Sequence, residues 1–394
     1  MDRLDNPFAP GAGTQPPELA GRDEVLDALE FAALKCQRGG PARCMALLGL
    51  RGVGKTVVLG RVRDDVEDRG LLSAMIEASE ARSLPSLLAP ELRRVLLKLS
   101  GTERRRAAAQ RAMRALAGFV SALKVRFEDL EFGLDVTPEL GLADSGDLEF
   151  DLTALLEAVG DAAKQAETAL ILIVDELQYA GESELGALVA AFHRAALRGW
   201  PIMLAGAGLP QLRGRLGKAR SYAERLFEFR ELGALEAAAA RAAVRQPLRK
   251  RAADIEDDAL KDIVDRTRGY PYFLQEWGLH AWNVAPRSPI RSRDVRAAEE
   301  HVTASLDQGF FRVRYDRLTP AEKRYMRAMA GLGPGPHRSG EIASILDRRV
   351  TSLGPLRSKL IGKGMIWSPS HGDTAFTVPS FDKFMKRMMP GDDW

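Results

Sequence analysis

Short apolar segments alternate with helical patterns from residue 43 to about residue 232. Segments that are almost wholly apolar are typical of strands that lie in a parallel sheet and are buried on both faces. Since strands that alternate with helices form parallel sheets covered by helices, this stretch predicts an α/β fold. The predicted strands are 44–48, 72–76, 170–175, 202–206 and 226–229.

The pattern changes on either side of this stretch. The N-terminal residues are rich in Pro and Gly and predict an extended arm. After the last predicted strand the spacing of apolar positions is helical throughout, and a separate basic module follows. The predicted regions are therefore an arm at 1–20, an α/β core at 21–232, a helical lid at 233–312 and a C-terminal domain at 313–394.

A long insertion separates the second and third predicted strands. Residues 103–123 are rich in Ala and Arg and predict a helix, and apolar positions alternate from Val125 to Val136, which predicts a hairpin. The insertion is either surface decoration or a contact with a neighbouring subunit or a ligand.

Positive charge is concentrated at the C-terminal end. The chain has a net charge of +3, yet residues 316–390 contain thirteen Lys or Arg against six Asp or Glu. A basic region of this kind is typical of nucleic-acid binding, although a solvated helix face gives the same composition. No apolar run is long enough to span a bilayer, and the first residues lack the pattern of a secretory signal, so we expect a cytoplasmic protein.

The most specific motif follows the first predicted strand. It matches G-x-x-x-x-G-K-[ST], in which glycines let backbone N–H groups turn around phosphate, the lysine reaches the β- and γ-phosphates and the hydroxyl holds Mg²⁺. The order of strand, loop and helix is the one that this motif requires. The residues predicted to bind nucleotide are Gly49, Leu50, Arg51, Gly52, Val53, Gly54, Lys55, Thr56 and the adjoining Val57.

The third predicted strand supplies the acidic half of the site. The apolar run 170–174 is followed directly by Asp175 and Glu176. Ligands of parallel sheets bind at the carboxyl ends of the strands, so both acids are expected beside the phosphate loop. Thr56 and Asp175 are predicted to hold Mg²⁺, and Glu176 is predicted to orient or deprotonate the attacking water.

With these motifs in place, the chain resembles the AAA+ and STAND branches of P-loop ATPases, and among them the origin-initiator-like and archaeal-type AAA ATPases. Leu19–Glu24 is similar to the segment beside the adenine pocket, which implies nucleotide contacts for Gly21 and Arg22. Residues 268–275 resemble the Gly-x-Pro segment of the helical lid, which implies a contact for Pro271.

Ser221–Phe227 resembles the stretch that carries the arginine finger in this family, which implies that Arg225 reaches the nucleotide of a neighbouring subunit. The alternative is a surface arginine paired with Glu224 or Glu228. The resemblance has two departures, because small residues occupy 204–209 where many relatives have a polar sensor, and Pro271 stands in the region of a second sensor arginine. Both departures favour a slow switch over a fast motor.

The sequence pattern of the C-terminal domain predicts a winged helix-turn-helix. A capping box at Thr319–Glu322 begins one helix, two further helices follow, and 365–367 with 375–378 predict a hairpin. In this fold the second helix of the turn enters the DNA major groove and the wing follows the backbone. The predicted DNA contacts are Arg348, Arg349, Arg357, Lys359, Lys363 and His371.

The expected function is therefore an oligomer-dependent ATPase of low turnover that uses ATP and Mg²⁺ and couples nucleotide state to DNA association or assembly. The alternative is a signalling or defence ATPase whose winged helix makes protein or autoinhibitory contacts instead.

Overall fold

The computed structural model describes residues 1–11, 13–99, 103–123, 136–391 and 394, and the predicted hairpin at 125–136 lies almost wholly outside them. The chain divides into two compact units. The sheet unit comprises Arg22–Gly49 and Lys55–Leu232. The helical unit comprises Met1–Gly21, Leu50–Gly54 and Gly233–Trp394. The segment Leu50–Gly54, the tip of the phosphate-loop motif, therefore belongs to the helical unit.

The sheet unit contains a five-stranded sheet in the order β2-β3-β4-β1-β5, and every neighbouring pair in it is parallel. The three inner strands are buried at every position, whereas the edge strands β2 and β5 include half-buried or exposed residues. The predicted α/β class with a parallel sheet is confirmed. The strands are β1 Cys44–Leu48, β2 Leu72–Glu77, β3 Leu170–Asp175, β4 Ile202–Gly208 and β5 Phe227–Glu231.

Helices connect these strands, and the helix predicted at 103–123 is present over those residues. It packs between α3 and α5, and its Leu116 and Phe119 are fully buried in the core that covers one face of the sheet. The helices are α1 Asp23–Gln37, α2 Lys55–Asp68, α3 Leu84–Lys98, α4 Glu103–Leu123, α5 Leu148–Gln165, α6 Glu182–Arg198, α7 Leu212–Ala219 and α8 Ala223–Leu226, with a 3₁₀ turn at Leu177–Tyr179.

The helical unit contains the predicted all-helical region. One turn of it, Leu306–Phe311, is a π-helix, a form that is rare and is frequent at functional sites. The helices before it are α9 Ala237–Lys250, α10 Asp257–Thr267, α11 Pro271–Val284 and α12 Ser292–Ser305, and α13 Arg312–Tyr315 follows it directly.

The N-terminal arm is docked on α11. Asn6 Nδ2 donates to Leu279 O at 3.0 Å and to Asn283 Oδ1 at 2.9 Å. Phe8 is 3% exposed and lies so close to Gly278 that a Cβ there would be 2.6 Å from its ring. Its apolar anchor and the glycine that accepts it make this part of the arm belong to the core of the unit.

The C-terminal module combines helices with a three-stranded antiparallel sheet in the order β6-β8-β7. The capping box is present, since Thr319 N–H donates to Glu322 Oε2 at 2.7 Å, and the predicted hairpin pairs Ile366 with Phe376. The elements are α14 Pro320–Leu332, β6 His337–Arg338, α15 Ser339–Ile345, α16 Val350–Gly362, β7 Ile366–Trp367, β8 Asp373–Phe376 and α17 Phe381–Met388.

The final helix α17 was not predicted. It buries Phe381, Phe384 and Met385, and it packs along α14. In the part of the chain that the structure describes, no helix is long and apolar enough to cross a membrane.

Candidate functional site

The glycines of the phosphate loop have the backbone that the motif requires. Gly52 has a φ of +82° and Gly54 a φ of +93°, values that residues with a Cβ rarely adopt. Within the sheet unit, Gly49 N–H donates to Gly208 O at 3.1 Å, which fixes the end of β1 against β4. The start of the loop is therefore anchored by the sheet.

Lys55 begins α2 and is only 5% exposed. Its Nζ donates to Gly49 O at 3.0 Å, so the ammonium group folds back over the loop that precedes it. A buried ammonium beside the phosphate loop fits the binding of an anion, because phosphate oxygens form charge-assisted hydrogen bonds with it. The adjoining Val57 is half-buried in the first turn of the same helix.

Thr56 and Asp175 meet as the motif predicts. Thr56 Oγ1 donates to Asp175 Oδ2 at 2.5 Å, and Asp175 Oδ1 accepts the N–H of Glu176 at 2.8 Å. Asp175 is 2% exposed, and this burial raises its pKa, while the hydrogen bond from Thr56 lowers it and the charge of Glu176 raises it again. A hydroxyl and a carboxylate in contact are hard oxygen donors that fit Mg²⁺.

Glu176 lies in the left-handed region, with a φ of +49°. This conformation is unfavourable for a residue with a side chain and is concentrated at active sites. It turns the chain out of β3 into the 3₁₀ turn, where Glu176 Oε2 accepts a hydrogen bond from Gln178 Nε2. The carboxylate is thus oriented by a neighbouring amide.

Gln178 is a residue of the site that the sequence analysis missed. It is 6% exposed, and its Oε1 accepts the N–H of Leu209 at 3.1 Å while its amide nitrogen donates to Glu176. A Cβ on Gly208 would lie 2.6 Å from this Oε1, so the small residues at the end of β4 make room for the amide. The only indication of this role in the sequence is the position of the glutamine, two residues after the acidic pair.

Arg215 fixes the same turn from α7. Its guanidinium donates to Gln178 O, and to Ala180 O at 2.8 Å. Burial lowers the pKa of Arg215, whereas the negative charge of Glu182 raises it. The position of Glu176 therefore depends on a chain of contacts that runs through Gln178 to Arg215.

The remaining residues that are predicted to bind nucleotide are divided between the two units. In the sheet unit, Arg22 is 8% exposed and its burial lowers its pKa. In the helical unit, Gly21 has a φ of +67°, and a Cβ there would be 2.7 Å from Ala239 Cβ. Pro271 is the first residue of α11, where a missing N–H costs no hydrogen bond. Leu50 and Arg51 are half-buried, and Val53 is buried.

Arg225 is exposed on the short helix α8. Across the residues that the structure describes, its side chain has no ion-pair partner, and Glu228 pairs with Arg230 instead. An ion pair of Arg225 with Glu224 or Glu228, the alternative to an arginine finger, is thus not formed among the described residues.

The predicted DNA contacts divide into two groups. Arg348, Arg349, Lys359 and His371 are exposed. Arg357 donates to Thr374 Oγ1 at 2.8 Å and to Asp373 O at 2.7 Å. Lys363 Nζ pairs with the buried Glu322 at 2.7 Å, which lowers the pKa of Glu322 against the effect of burial. Arg357 and Lys363 therefore hold the module together.

Comparison with known families agrees with this site. Residues 18–205 match the family model described as AAA ATPase domain, and residues 308–385 match a model described as domain of unknown function DUF8462. A search of curated proteins finds no match.

Solved structures show a similar fold. The Walker-type ATPase PABY2304 of Pyrococcus abyssi has a TM-score of 0.60 at 15% identity, over 95% of this chain and 97% of that chain. The Thermotoga maritima RuvB Holliday junction branch migration motor has a TM-score of 0.46 at 15% identity, over 92% and 96%. The Aeropyrum pernix ORC1 protein in complex with DNA has a TM-score of 0.44 at 16% identity, over 94% of each chain. Only the first of these supports the fold assignment.

The sheet order, the glycine loop and the Thr56–Asp175 pair define a P-loop nucleotide-binding domain. The match of residues 18–205 to the model described as AAA ATPase domain spans both the glycine loop and the acidic pair of this domain.

We expect Asp175→Asn to stabilise the nucleotide-free protein near pH 7.5. Because burial raises the pKa of Asp175, the folded state favours the protonated acid, and the ionised form costs stability above that pKa. This cost disappears as the pH falls through the folded-state pKa, so the difference between variant and wild type should shrink toward acid pH. Thermal unfolding from pH 7.5 to pH 4 measures it.

Asp68→Asn, at an exposed position on the sheet unit, controls for the loss of one negative charge. An Asp175→Asn protein that unfolds at a lower temperature than wild type at pH 7.5 contradicts this interpretation of the buried carboxylate.

Proposed function

We propose that the chain is an ATP-binding, slowly hydrolysing AAA+ or STAND switch that couples its nucleotide state to its C-terminal module. The observation that carries this proposal is the contact of Thr56 with Asp175. Lys55 directly precedes Thr56 in the chain, and Glu176 directly follows Asp175. These four residues supply the phosphate-binding cation, the metal ligands and the water-directing carboxylate that nucleotide hydrolysis requires.

Each side chain has a defined task in this proposal. Lys55 neutralises the β- and γ-phosphates, and Thr56 with Asp175 holds Mg²⁺, directly or through water. The bound metal would supply charge stabilisation at the phosphoryl oxygens. Glu176 orients the attacking water or accepts its proton, which accelerates such reactions by about 10²–10⁴-fold.

The arrangement of Glu176 supports slow turnover. Its carboxylate accepts a hydrogen bond from Gln178, which takes up part of the accepting capacity that the attacking water needs. The exposed Arg225, which has no ion-pair partner among the described residues, is free to serve as an arginine finger toward a second copy of the chain. Hydrolysis would then depend on self-association, because an isolated subunit would lack the arginine that its neighbour supplies.

We expect Lys55→Ala and Glu176→Gln to separate binding from hydrolysis. Losing a charge-assisted bond to phosphate should weaken ATP binding by about 10- to 100-fold in Lys55→Ala. Glu176→Gln should bind ATP as tightly as wild type but turn over about 10²–10⁴-fold more slowly. Titration calorimetry with Mg²⁺ and ATP, combined with phosphate release, measures both quantities.

Glu157→Gln is the matched control, because Glu157 is an exposed carboxylate on α5. It should leave affinity and turnover unchanged. Wild-type protein that binds neither ATP nor ADP in the presence of Mg²⁺ disproves the proposed function, and wild-type turnover in Glu176→Gln disproves the role of that residue.

We further propose that the C-terminal module is a winged helix and that its partner is double-stranded DNA. The supporting observation is the exposure of Arg348, Arg349 and Lys359 on α16 and the turn before it, with His371 in the turn between β7 and β8. Exposed cations at these positions fit phosphate contacts along a duplex, and such contacts provide most of the affinity of non-specific binding.

The alternative, a signalling or defence switch with protein or autoinhibitory contacts, also has an observation in its favour. Ile345 and Val350, on either side of the basic turn, are 43% and 48% exposed. Apolar side chains beside cations fit a protein surface better than a phosphate backbone. DNA remains the first proposal because four of its six predicted contact residues are exposed.

We expect the module to bind duplex DNA with a marked salt dependence, which Arg348→Gln, Arg349→Gln and Lys359→Gln together should reduce. Each phosphate contact contributes about −0.9 to the slope of log K against log salt, so this triple variant should lose about 2 or more of the slope. Fluorescence anisotropy of the full chain with a labelled duplex, between about 30 and 200 mM salt, measures it.

A triple variant of the exposed Arg324, Lys383 and Lys386, all to Gln, removes the same charge from α14 and α17 and should keep the slope. Absence of binding to any duplex below about 50 mM salt, where the electrostatic contribution is strong, rules out DNA and leaves the protein-contact alternative.

A further inference from the structure

The helical insertion of the sheet unit has an exposed basic face. Helix α4 contains five arginines and one glutamate. Arg104, Ala107 and Arg111 are exposed and lie on one face, because residues three, four or seven positions apart fall on the same side of a helix. Among the arginines of α4, only Arg114 has an ion-pair partner in the described part of the chain, Glu139 at 3.0 Å. Cations without partners favour the approach of negative charge.

Helix α3 extends this face. It packs directly on α4, and its Arg93 and Leu97, which are four residues apart, are both exposed. Leu97 is 55% exposed. Arg94 pairs with Glu91 at 2.9 Å, whereas Arg93 has no ion-pair partner among the residues that the structure describes. The two helices thus form a basic surface, which comprises Arg93, Leu97, Arg104, Ala107 and Arg111.

Helix α1 of the same unit has the opposite charge. Its exposed residues Asp23, Asp27 and Phe31 follow one another at intervals of four and therefore lie on one face. Glu24 is also exposed, Phe31 is 68% exposed, and Lys35 is the only cation of the helix. Acids in the first turn stabilise the start of a helix, but Asp27 lies beyond that turn. This acidic surface comprises Asp23, Glu24, Asp27 and Phe31.

The two surfaces lie on opposite faces of the sheet. Helices α3 and α4 bury their apolar side chains in the core that contains Ala46 of β1 and Leu172 of β3. Helices α1 and α2 also contact the strands, yet the buried Leu29 of α1 and Val58 of α2 lie outside that core. Since successive side chains of a strand point to opposite faces, α1 and α2 cover the second face. One copy of the chain therefore presents both surfaces at once.

We propose that the basic surface of one copy binds the acidic surface of a second copy of this chain. Opposite charges on two surfaces of the same chain favour this contact over one between like surfaces. Leu97 and Phe31 give each surface an exposed apolar side chain, which fits the apolar centre and charged rim of a protein interface. A nucleic-acid backbone would engage the arginines but leave both apolar side chains in water.

The proposed contact is heterologous, because it joins two different surfaces. Each added copy leaves one basic and one acidic surface free at the ends of the assembly, so the product is a closed ring or an open filament. The contact involves neither the phosphate loop nor the acidic pair nor Arg225. It therefore goes beyond the proposed function and requires no bound nucleotide.

The test measures the mass of the full chain by sedimentation equilibrium, without nucleotide or DNA, from about 1 to 100 μM. The average mass of wild type should rise with concentration at about 0.1 M salt. It should fall toward that of the monomer at about 1 M salt, because the Debye length shrinks from about 10 Å to about 3 Å.

Two variants reverse the charge of one surface each. Arg104→Glu with Arg111→Glu makes the basic surface acidic, and Asp23→Arg with Asp27→Arg makes the acidic surface basic. Each variant alone brings like charges together and should self-associate about 10- to 100-fold more weakly than wild type.

An equimolar mixture of the two variants should associate again, to within about threefold of wild type. The reversed surface of each variant is opposite in charge to the reversed surface of the other, and the unchanged surfaces also remain opposite. Recovery in the mixture shows that both proteins are folded. If a reversed variant does not fold, Arg104→Gln with Arg111→Gln replaces it, keeps good helix formers and should weaken association about 3- to 10-fold.

Arg194→Glu with Arg198→Glu is the matched control. Both arginines are exposed on α6, and α5 lies between α6 and α4 in the same layer. This variant has the same change of net charge as Arg104→Glu with Arg111→Glu and should associate as wild type does.

Wild type that stays monomeric at about 0.1 M salt overturns the proposal, as does association that both reversed variants retain. A mixture that associates no better than its components overturns it as well. Monomeric wild type that binds a duplex, with binding lost in Arg104→Glu with Arg111→Glu, would identify nucleic acid as the partner of the basic surface instead. Failure to bind ATP would leave this contact standing, because the test contains no nucleotide.

Discussion

A buried carboxylate at the end of a central strand requires a compensating partner, and the site depends on how this chain provides one. Asp175 is the last residue of β3 and has almost no contact with solvent. The Thr56 hydroxyl and the backbone N–H of Glu176 satisfy its two oxygens. This pairing joins the start of α2 to the end of β3, and the positive charge of Lys55 further offsets the effect of burial on the pKa of Asp175.

Further contacts hold the residues around Asp175 in place. Gly49 ties the end of β1 to β4, and Lys55 folds back onto the Gly49 carbonyl. Beyond β3, Gln178 connects the Glu176 carboxylate to the backbone after β4, and Arg215 fixes the turn that carries both. The reacting groups are thus positioned by side-chain and backbone contacts at the ends of three adjacent strands, which is why the sheet order matters for the chemistry.

Much of this was predictable, because the relevant signals are local. The uniform apolar character of 170–174 predicts a buried strand, and the glycine spacing from Gly49 to Thr56 defines the loop. What sequence could not predict are contacts between distant segments. The docking of Phe8 on Gly278, the space that Gly208 leaves for Gln178, and the use of Arg357 to tie the hairpin all depend on the assembled fold.

The basic C-terminal module shows the same limit of prediction from sequence. A count of cations treats Arg349 and Lys363 alike, yet one is exposed and the other neutralises a buried glutamate. Helix α17 was not predicted, although Phe381, Phe384 and Met385 are at helical spacing, and these three side chains complete the core of the module. Composition could therefore identify a basic domain, but not which of its charges face solvent.

The π-helix at Leu306–Phe311 places two consecutive phenylalanines on different neighbours. Phe310 contacts Tyr272, whereas Phe311 packs on Phe381 and Phe384 with centroids 5.7 and 5.2 Å apart. An i→i+5 turn contains one residue more than an α-helical turn needs. Expelling that residue would advance the helix by one step, a rotation of about 100°. Such a change in this one turn would therefore rotate α13 and the module that follows it about the helix axis.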